Sequence, residues 1–526
     1  MRYLLFQAVD IAAERFPDAN AIQYTGQCLT YAELSTLSSQ LAQVLIKQGV
    51  SRGDRVGIYM NKGLESAVAI YGIMKAGGAY VPLDPFAPIK RIDYVIKDCG
   101  IRHLISKPAK LDSLHQILNA DSPIEHIIGL GAQEGLKVYS VSWDEVSNAS
   151  ERLPSLSLTE QDLAYILYTS GSTGMPKGIM HTHRSGLSFA EWGATTYMLA
   201  PEDRLSNHAP LHFDLSTFDF FASSIAGATT VIVPEAFSKF PANMAKFIEE
   251  EKITVWYSVP FALIQMMQHG KLNARDCGAL RWILFAGEVF PTKHLRQLMS
   301  MLPKVKFSNL YGPTETNVCT YYHVDKIPDD TDETIPIGIP CANIEDLVVD
   351  LDDTVVSRGE VGELLIRGGV VMKGYWGQPE KTRSSFFRRV VFDQFNDVFY
   401  RTGDLVQLDE NGNYRYLGRK DRQVKTRGYR VELDEVEVAL LAHLGVEEAA
   451  VYTIPDGQGS NLIEAAIIPK EGTDISESEL VVHISKRLPA YAVPVKINIV
   501  SSFPRTSTGK IDRRELQSLA IEAKNE

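Results

Sequence analysis

Cysteine is scarce and scattered: Cys28, Cys99, Cys277, Cys319 and Cys341 are an odd set of five in 526 residues, with no C-x-x-C spacing. That excludes a disulfide framework and a structural zinc site, and it fits a reducing cytosol. Long apolar runs are also missing. No uncharged stretch reaches the roughly 20 apolar residues needed to span a bilayer. The opening Met1-Arg-Tyr-Leu-Leu-Phe6 is interrupted by Gln7 and Asp10, too soon for a signal-peptide core. Positive charge is in deficit, with 53 Lys and Arg against 65 Asp and Glu and a formal net charge of −12. Such a chain lacks the basic stripe of a nucleic-acid or anionic-membrane binder. Internal repeats, heptads and low-complexity tracts are absent too. A soluble, cytoplasmic protein with no nucleic-acid and no membrane partner is expected.

What remains is an ordinary globular composition, 45% hydrophobic and 22% charged. The length suggests about three or four structural units rather than one core. Over the first 420 residues short apolar runs alternate with helical patterns. Thr30 and Glu33 form a capping-box pair, after which Leu34, Leu37, Leu41, Val44 and Leu45 share one helical face until Gly49. Strand-like runs follow at residues 55–60, 79–83, 229–233, 253–259 and 282–286. Strands separated by helices predict an α/β fold of layered, largely parallel sheets. Between Tyr400 and Arg430 the texture becomes charged and glycine-punctuated. Beyond it, strands near 449–454 and 462–469 and a helix near 477–487 predict a compact α+β unit of about 100 residues. The expected division is therefore 1–417, a connector at 418–421, and 422–526.

The most informative stretch is Tyr168-Thr-Ser-Gly-Ser-Thr-Gly-Met-Pro-Lys-Gly178. Glycines at 171 and 174 let the backbone approach an anion and aim N–H groups at it. Thr169, Ser170, Ser172 and Thr173 add hydroxyl donors, and Lys177 supplies charge. Leu163-Ala-Tyr-Ile-Leu-Tyr168 reads as a buried strand, so the loop starts at a strand's C-terminal end, where open α/β sheets bind ligands. A Walker P-loop is excluded, because Lys177 lies between Pro176 and Gly178 instead of between Gly and Ser or Thr.

Further elements stand in register with this loop: Asn309-Leu-Tyr-Gly-Pro-Thr-Glu-Thr316, Tyr400-Arg-Thr-Gly-Asp404, the run from Gly418 to Glu432, and Pro504-Arg-Thr-Ser-Thr-Gly-Lys510. Together with Lys75-Ala-Gly-Gly-Ala-Tyr-Val-Pro-Leu-Asp84 and Leu488-Pro-Ala-Tyr-Ala-Val-Pro494, the set resembles the adenylate-forming superfamily. Within it, the likeness is to the amino-acid adenylation domains of non-ribosomal peptide synthesis. It extends over nearly the whole chain.

The resemblance implies a large N-terminal domain and a small mobile C-terminal one, with ATP and Mg2+ as cofactors. It implies that Lys510 bridges the substrate carboxylate and the α-phosphate, with Thr314 on that phosphate and Glu315 on the metal. Residues 169–174 and Lys177 would hold the phosphates. Tyr311, beside Gly312, would stack on adenine, Asp404 would accept both ribose hydroxyls, and Arg419 would support the same region. Asp421 would be the pivot between the two half-reactions. The chemistry is consistent, since joining a carboxylate to an α-phosphate requires the site to neutralise two anions as pyrophosphate leaves.

Within Phe213-Asp-Leu-Ser216, Asp214 matches the aspartate that amino-acid-activating members place against the substrate's ammonium. Aligned by motif neighbours, the rest of the pocket is Leu215, Phe218, Tyr257, Leu284, Ala286, Leu310, Val318 and Cys319, with Lys510. Apart from Asp214 and Lys510 this lining is uncharged, so a charged side chain would be buried unpaired at about several kcal/mol. A compact apolar amino acid is expected. The combination resembles the pockets of members that activate L-proline and load it on a carrier protein, with valine, leucine or a proline analogue as alternatives. No carrier domain follows Lys510 and no condensation domain precedes residue 5, so a free-standing enzyme charging a separate holo carrier protein is expected. An acyl-CoA or aryl-acid synthetase of the same superfamily and a non-catalytic ligand-binding relative are the competing readings. Asp214 discriminates the first, and the presence of Lys177, Glu315, Asp404, Arg419 and Lys510 the second.

Overall fold

A computed structural model describes residues 2–133, 135–136, 138–171, 174–327, 333–505 and 511–525. The expected strands form with their ends shifted by a few residues: Arg55–Tyr59, Ala79–Pro82, Thr229–Ile232, Val255–Ser258 and Trp282–Ala286. Helix Tyr31–Lys47 starts at the capping box, where Thr30 accepts from the Glu33 amide at 3.2 Å and the Glu33 carboxylate accepts from the Thr30 amide at 2.8 Å. Its face of Leu34, Leu41, Val44 and Leu45 is buried against helix Leu64–Lys75 and the sheet below.

Among the described residues, two large sheets carry the molecule. In the first, the neighbours Val255–Ser258, Trp282–Ala286 and Lys306–Tyr311 are parallel, so their C-terminal ends emerge side by side. In the second, Leu163–Thr169 lies parallel to Ala79–Pro82 and antiparallel to Lys177–Thr182. The glycine-rich stretch is therefore the turn of a hairpin, with Thr169 paired to Lys177. Both sheets are parallel at their centres; the first turns antiparallel at both edges and the second at one, the edge strand Tyr139–Val141 remaining parallel.

A third sheet is antiparallel throughout. It contains Ile344–Val349, Val361–Gly368, Phe386–Phe392, Phe395–Leu408 and Tyr414–Arg419. The sequence did not announce it, because its long strands alternate charged and apolar residues and are half exposed. Its last register pair is Asp404 with Arg419. After Lys420 and Asp421 the chain enters the hairpin of Gln423–Thr426 and Tyr429–Glu432, then a three-stranded sheet of Val446–Pro455, Asn461–Pro469 and Lys496–Ile499. Helices Leu433–Leu441 and Glu477–Ser485 cover that sheet around a separate apolar cluster that includes Val436, Leu440, Val451 and Leu480. No helix among the described residues is long and apolar enough to cross a membrane. The five cysteines are free thiols.

Candidate active site

The parallel strand ends of the first sheet, the glycine-rich turn of the second and the hairpin at 423–432 converge on one region. Glu315 sits at its centre, in the short turn Thr314–Thr316 that follows strand Lys306–Tyr311, and is fully buried. Its carboxylate meets Lys177 Nζ at 3.4 Å and Arg430 Nη1 at 2.6 Å, and it accepts from the Tyr375 hydroxyl at 2.8 Å. Burial alone would raise this carboxyl, but Arg430 and Lys177 hold it well below the usual carboxylate range. Lys177, also buried and 4.9 Å over the Tyr375 ring, is pushed down to about 8 by burial and by Arg430, against the pull of Glu315. Among the described residues no group of three carboxylate, imidazole or thiol side chains is disposed to hold a metal. One carboxylate still fits Mg2+, which commonly binds through one or two carboxylates with substrate phosphates and water completing its shell. With Lys177, Arg430 and Tyr375 already on it, Glu315 keeps about one of a carboxylate's four acceptor positions.

Arg430 belongs to the hairpin beyond the connector, which docks closely on the large body. Gly428, at φ +85°, packs against Val259 so tightly that a Cβ there would meet Cγ1 at 2.5 Å. Tyr429 is edge-on to Phe213 at 5.1 Å and stacked on Tyr491 at 3.9 Å. Ser170 donates to the Arg430 carbonyl at 3.0 Å, Ser460 donates to Glu288 at 2.8 Å, and Arg91 pairs with Glu435 at 2.6 Å. Among the described residues, two buried polar atoms beside this contact, Thr169 Oγ1 and Arg430 Nε, have no hydrogen-bond partner.

A second charged group lies along the same cleft. Asp404 accepts from the Tyr311 hydroxyl at 2.5 Å and from Arg419 at 2.7 Å, while Arg419 forms a two-bond fork with Asp421 at 2.6 and 2.7 Å. Burial depresses Arg419, but Asp421 and Asp404 more than offset this and raise it above its ordinary value. A carboxylate has about four acceptor positions, so Asp404 retains capacity for hydroxyl donors. Tyr311, Arg419, Asp421 and Lys425 line a cavity of about 760 Å³ between the two bodies.

Beside it is a smaller cavity of about 90 Å³. Phe213, Asp214, Leu215, Tyr257, Ala286 and Val318 from the expected set line it, as do Gly312 and Thr314. Phe218, Leu284, Leu310 and Cys319 are buried behind this wall, in the core that supports it. Asp214 sits at the start of helix Leu215–Ala226. Burial raises its carboxyl above the ordinary range, opposed by a hydrogen bond from Thr314 and by the charge of Lys425. The expected residues Ser172, Thr173 and Lys510 lie outside the described residues. Arg430, Tyr375, Lys425 and Phe189 were missed as site residues. Only the run from Gly418 to Glu432 pointed toward any of them, by its likeness to the superfamily.

The sequence matches the family described as AMP-binding enzyme over residues 9–376, and its C-terminal domain over 435–510. An L-proline--[L-prolyl-carrier protein] ligase of Pseudomonas fluorescens is 35% identical, covering 97% of this chain and 98% of its own. A protein of the same name from Streptomyces coelicolor is 38% identical over 93% of this chain and 91% of its own. Among solved structures, the Vibrio cholerae adenylation domain AlmE in complex with glycyl-adenosine-5'-phosphate matches with a TM-score of 0.84 and 25% identity. That match covers 99% of this chain and 98% of the other. The amide bond synthetase McbA from Marinactinospora thermotolerans shares the fold, with a TM-score of 0.86 at 23% identity over 98% and 99% of the two chains. The chain belongs to the AMP-binding enzymes and has the adenylate-forming fold.

Proposed function

We propose that this AMP-binding enzyme activates a compact apolar amino acid, L-proline, as its adenylate. It releases pyrophosphate and passes the aminoacyl group to the phosphopantetheine thiol of a separate carrier protein. The observation that carries the reading is Asp214, a carboxylate set among Phe189, Phe213, Leu215, Tyr257, Ala286 and Val318 in a cavity of about 90 Å³ whose lining also includes Asp404, Arg419, Lys425 and Arg430. A carboxylate among these apolar side chains suits an ammonium group, which fatty and aryl acids lack, and the bulk of Phe189, Phe213 and Tyr257 suits a small side chain. The two relatives named for proline support the same substrate and partner.

In this reading the domains divide as 1–417, 418–421 and 422–526, although sheet pairing continues to Arg419. Thr169, Ser170, Gly171, Ser172, Thr173, Gly174 and Lys177 receive the ATP phosphates, Tyr311 and Gly312 face adenine, and Asp404 and Arg419 hold the ribose. Glu315 would carry Mg2+, which when bound neutralises phosphate charge. Lys510 and Thr314 stabilise the charge that develops at the α-phosphate. Phe213, Leu215, Tyr257, Ala286 and Val318 form the side-chain wall, backed by Phe218, Leu284, Leu310 and Cys319.

Amino-acid-dependent ATP–pyrophosphate exchange across all proteinogenic amino acids, with fatty and aryl acids as controls, tests the reading. Proline is expected to give the highest kcat/KM. A tenfold advantage for valine, leucine or an aromatic acid, about 1.4 kcal/mol in transition-state binding, would reject proline.

A further inference from the structure

Part of the small cavity's wall comes from an element that none of the sequence motifs reaches. Helix His183–Thr196 packs on helix Leu215–Ala226 and places Phe189 in the cavity lining. Phe189 is 2% exposed, and its ring centroid lies 5.9 Å from that of Phe218, which in turn is edge-on to Tyr257 at 5.4 Å. Phe189 and Tyr257 both face the cavity, and Phe218 is the fully buried ring that touches each of them.

One turn beyond Phe189 is Gly193. A Cβ at this position would meet Phe218 Cε2 at 2.5 Å and Cδ2 at 3.0 Å. Glycine inside a helix is intrinsically unfavourable by about 1 kcal/mol relative to alanine. Here it permits the close approach of an aromatic ring that has little room to retreat, because Tyr197 packs edge-on against it at 6.0 Å. Tight cores transmit such displacements to their neighbours instead of absorbing them.

We propose that Phe189 and Gly193 are specificity-determining residues for the amino-acid side chain. Phe189 limits the cavity directly, and Gly193 does so by letting Phe218 sit back from it, which fixes where Tyr257 stands. The proposal deepens the amino-acid-activation reading and rests on it, but not on proline being the preferred substrate. Replacing Phe189 by a smaller side chain opens the wall to longer apolar substrates. A methyl group at 193 drives the Phe218 ring toward Tyr257 and narrows the space.

The test is pyrophosphate exchange with proline, leucine and alanine for the wild type, Phe189→Leu and Gly193→Ala, each scored as a ratio of kcat/KM values within one variant. Such ratios cancel any loss of folded enzyme. In Phe189→Leu the leucine-to-proline ratio is expected to rise by about tenfold or more, the scale of one or two methylenes in a binding pocket. In Gly193→Ala the alanine-to-proline ratio should rise by about tenfold, mainly through the proline KM. Adding Phe218→Leu to Gly193→Ala should restore the original ratio by relieving the contact. Ratios within about twofold of wild type in both single variants overturn the proposal. If the wild type prefers another amino acid, that substrate replaces proline in the ratios. The proline reading then fails while this inference stands or falls on the shifts alone.

Discussion

The small cavity and the phosphate region next to it satisfy their charges by opposite means. Asp214 stands among apolar side chains, and that part of the wall is built by the large body, from helix ends and the C-terminal ends of parallel strands. Glu315 is instead surrounded by cations, one of which, Arg430, arrives from beyond the connector. In the first, the Thr314 hydroxyl and the charges of Lys425 and Arg430 act on the carboxylate. The second is already neutralised, and a metal on Glu315 would compete with Arg430 and Lys177 for its carboxylate. The large body supplies the apolar part of the cavity wall, and the hairpin beyond the connector supplies a cation to the carboxylate beside it.

The comparison breaks most visibly at Asp214. If the cavity is a receptor for an ammonium group, Asp214→Ala strands that charge in a dry site. The expected loss in amino-acid-dependent exchange is roughly 3 to 5 kcal/mol, the scale for removing one partner of a buried pair. Asp214 reaches the phosphate side only through its hydrogen bond with Thr314, so ATP binding measured by titration should fall far less than exchange. A loss in exchange below about threefold would remove Asp214 from this role.

The connector sharpens the other half of the comparison. Asp421 follows the last paired residue of the third sheet and clamps Arg419 through two bonds. We expect the small body to turn here between adenylate formation and thiol attack. Proline fixes φ near about −65° and so opposes rotation; it also removes the Asp421 carboxylate and its two bonds to Arg419. Asp421→Pro is expected to keep most pyrophosphate exchange and lose carrier loading by more than about tenfold, near 1.4 kcal/mol. Asp421→Asn, which weakens the clamp but leaves the backbone free, separates charge from rotation. Proportional loss of both activities in Asp421→Pro, with circular dichroism unchanged, would sink the pivot assignment.

Legibility in the sequence followed how local each feature is. The capping box at Thr30, the buried strands and the glycine-rich turn are set by neighbours a few residues apart, and all could be read directly. The pocket was legible only through motif resemblance, which placed Phe218 and Leu284 beside substrate, whereas the structure puts them one layer behind it. Tertiary partners left no mark. Arg430 lies 115 residues from Glu315, and Tyr375 is 60 residues away on a two-residue strand whose composition says nothing of a carboxylate. Phe189 carried no mark of its own, because a wall residue and a core residue share the same pattern.

The smallest expected effect concerns protons on Lys177. Burial and the nearby Arg430 bring this lysine to about 8 despite the attraction of Glu315, so its charge is lost just above neutrality. Below that pH the ammonium is present and can meet ATP phosphates; above it the amine is neutral. Between about pH 7 and 9 the charged fraction falls from roughly nine-tenths to one-tenth, and the ATP Kd should rise, by at most about tenfold. The rise reaches that limit when bound phosphates raise the lysine strongly and falls to roughly threefold when they raise it only slightly. Stability moves the other way. The folded-state value lies below that of an exposed lysine, so the unfolded chain binds more protons in the window above pH 8, and this group makes unfolding harder as pH rises through it. ATP titrations and thermal melts in the same buffers therefore separate a weakened site from a weakened fold. Lys177→Arg, with a guanidinium that stays charged, should flatten the Kd profile. A Kd that is constant over this range, or an equally steep profile in Lys177→Arg, would show that another group governs ATP binding.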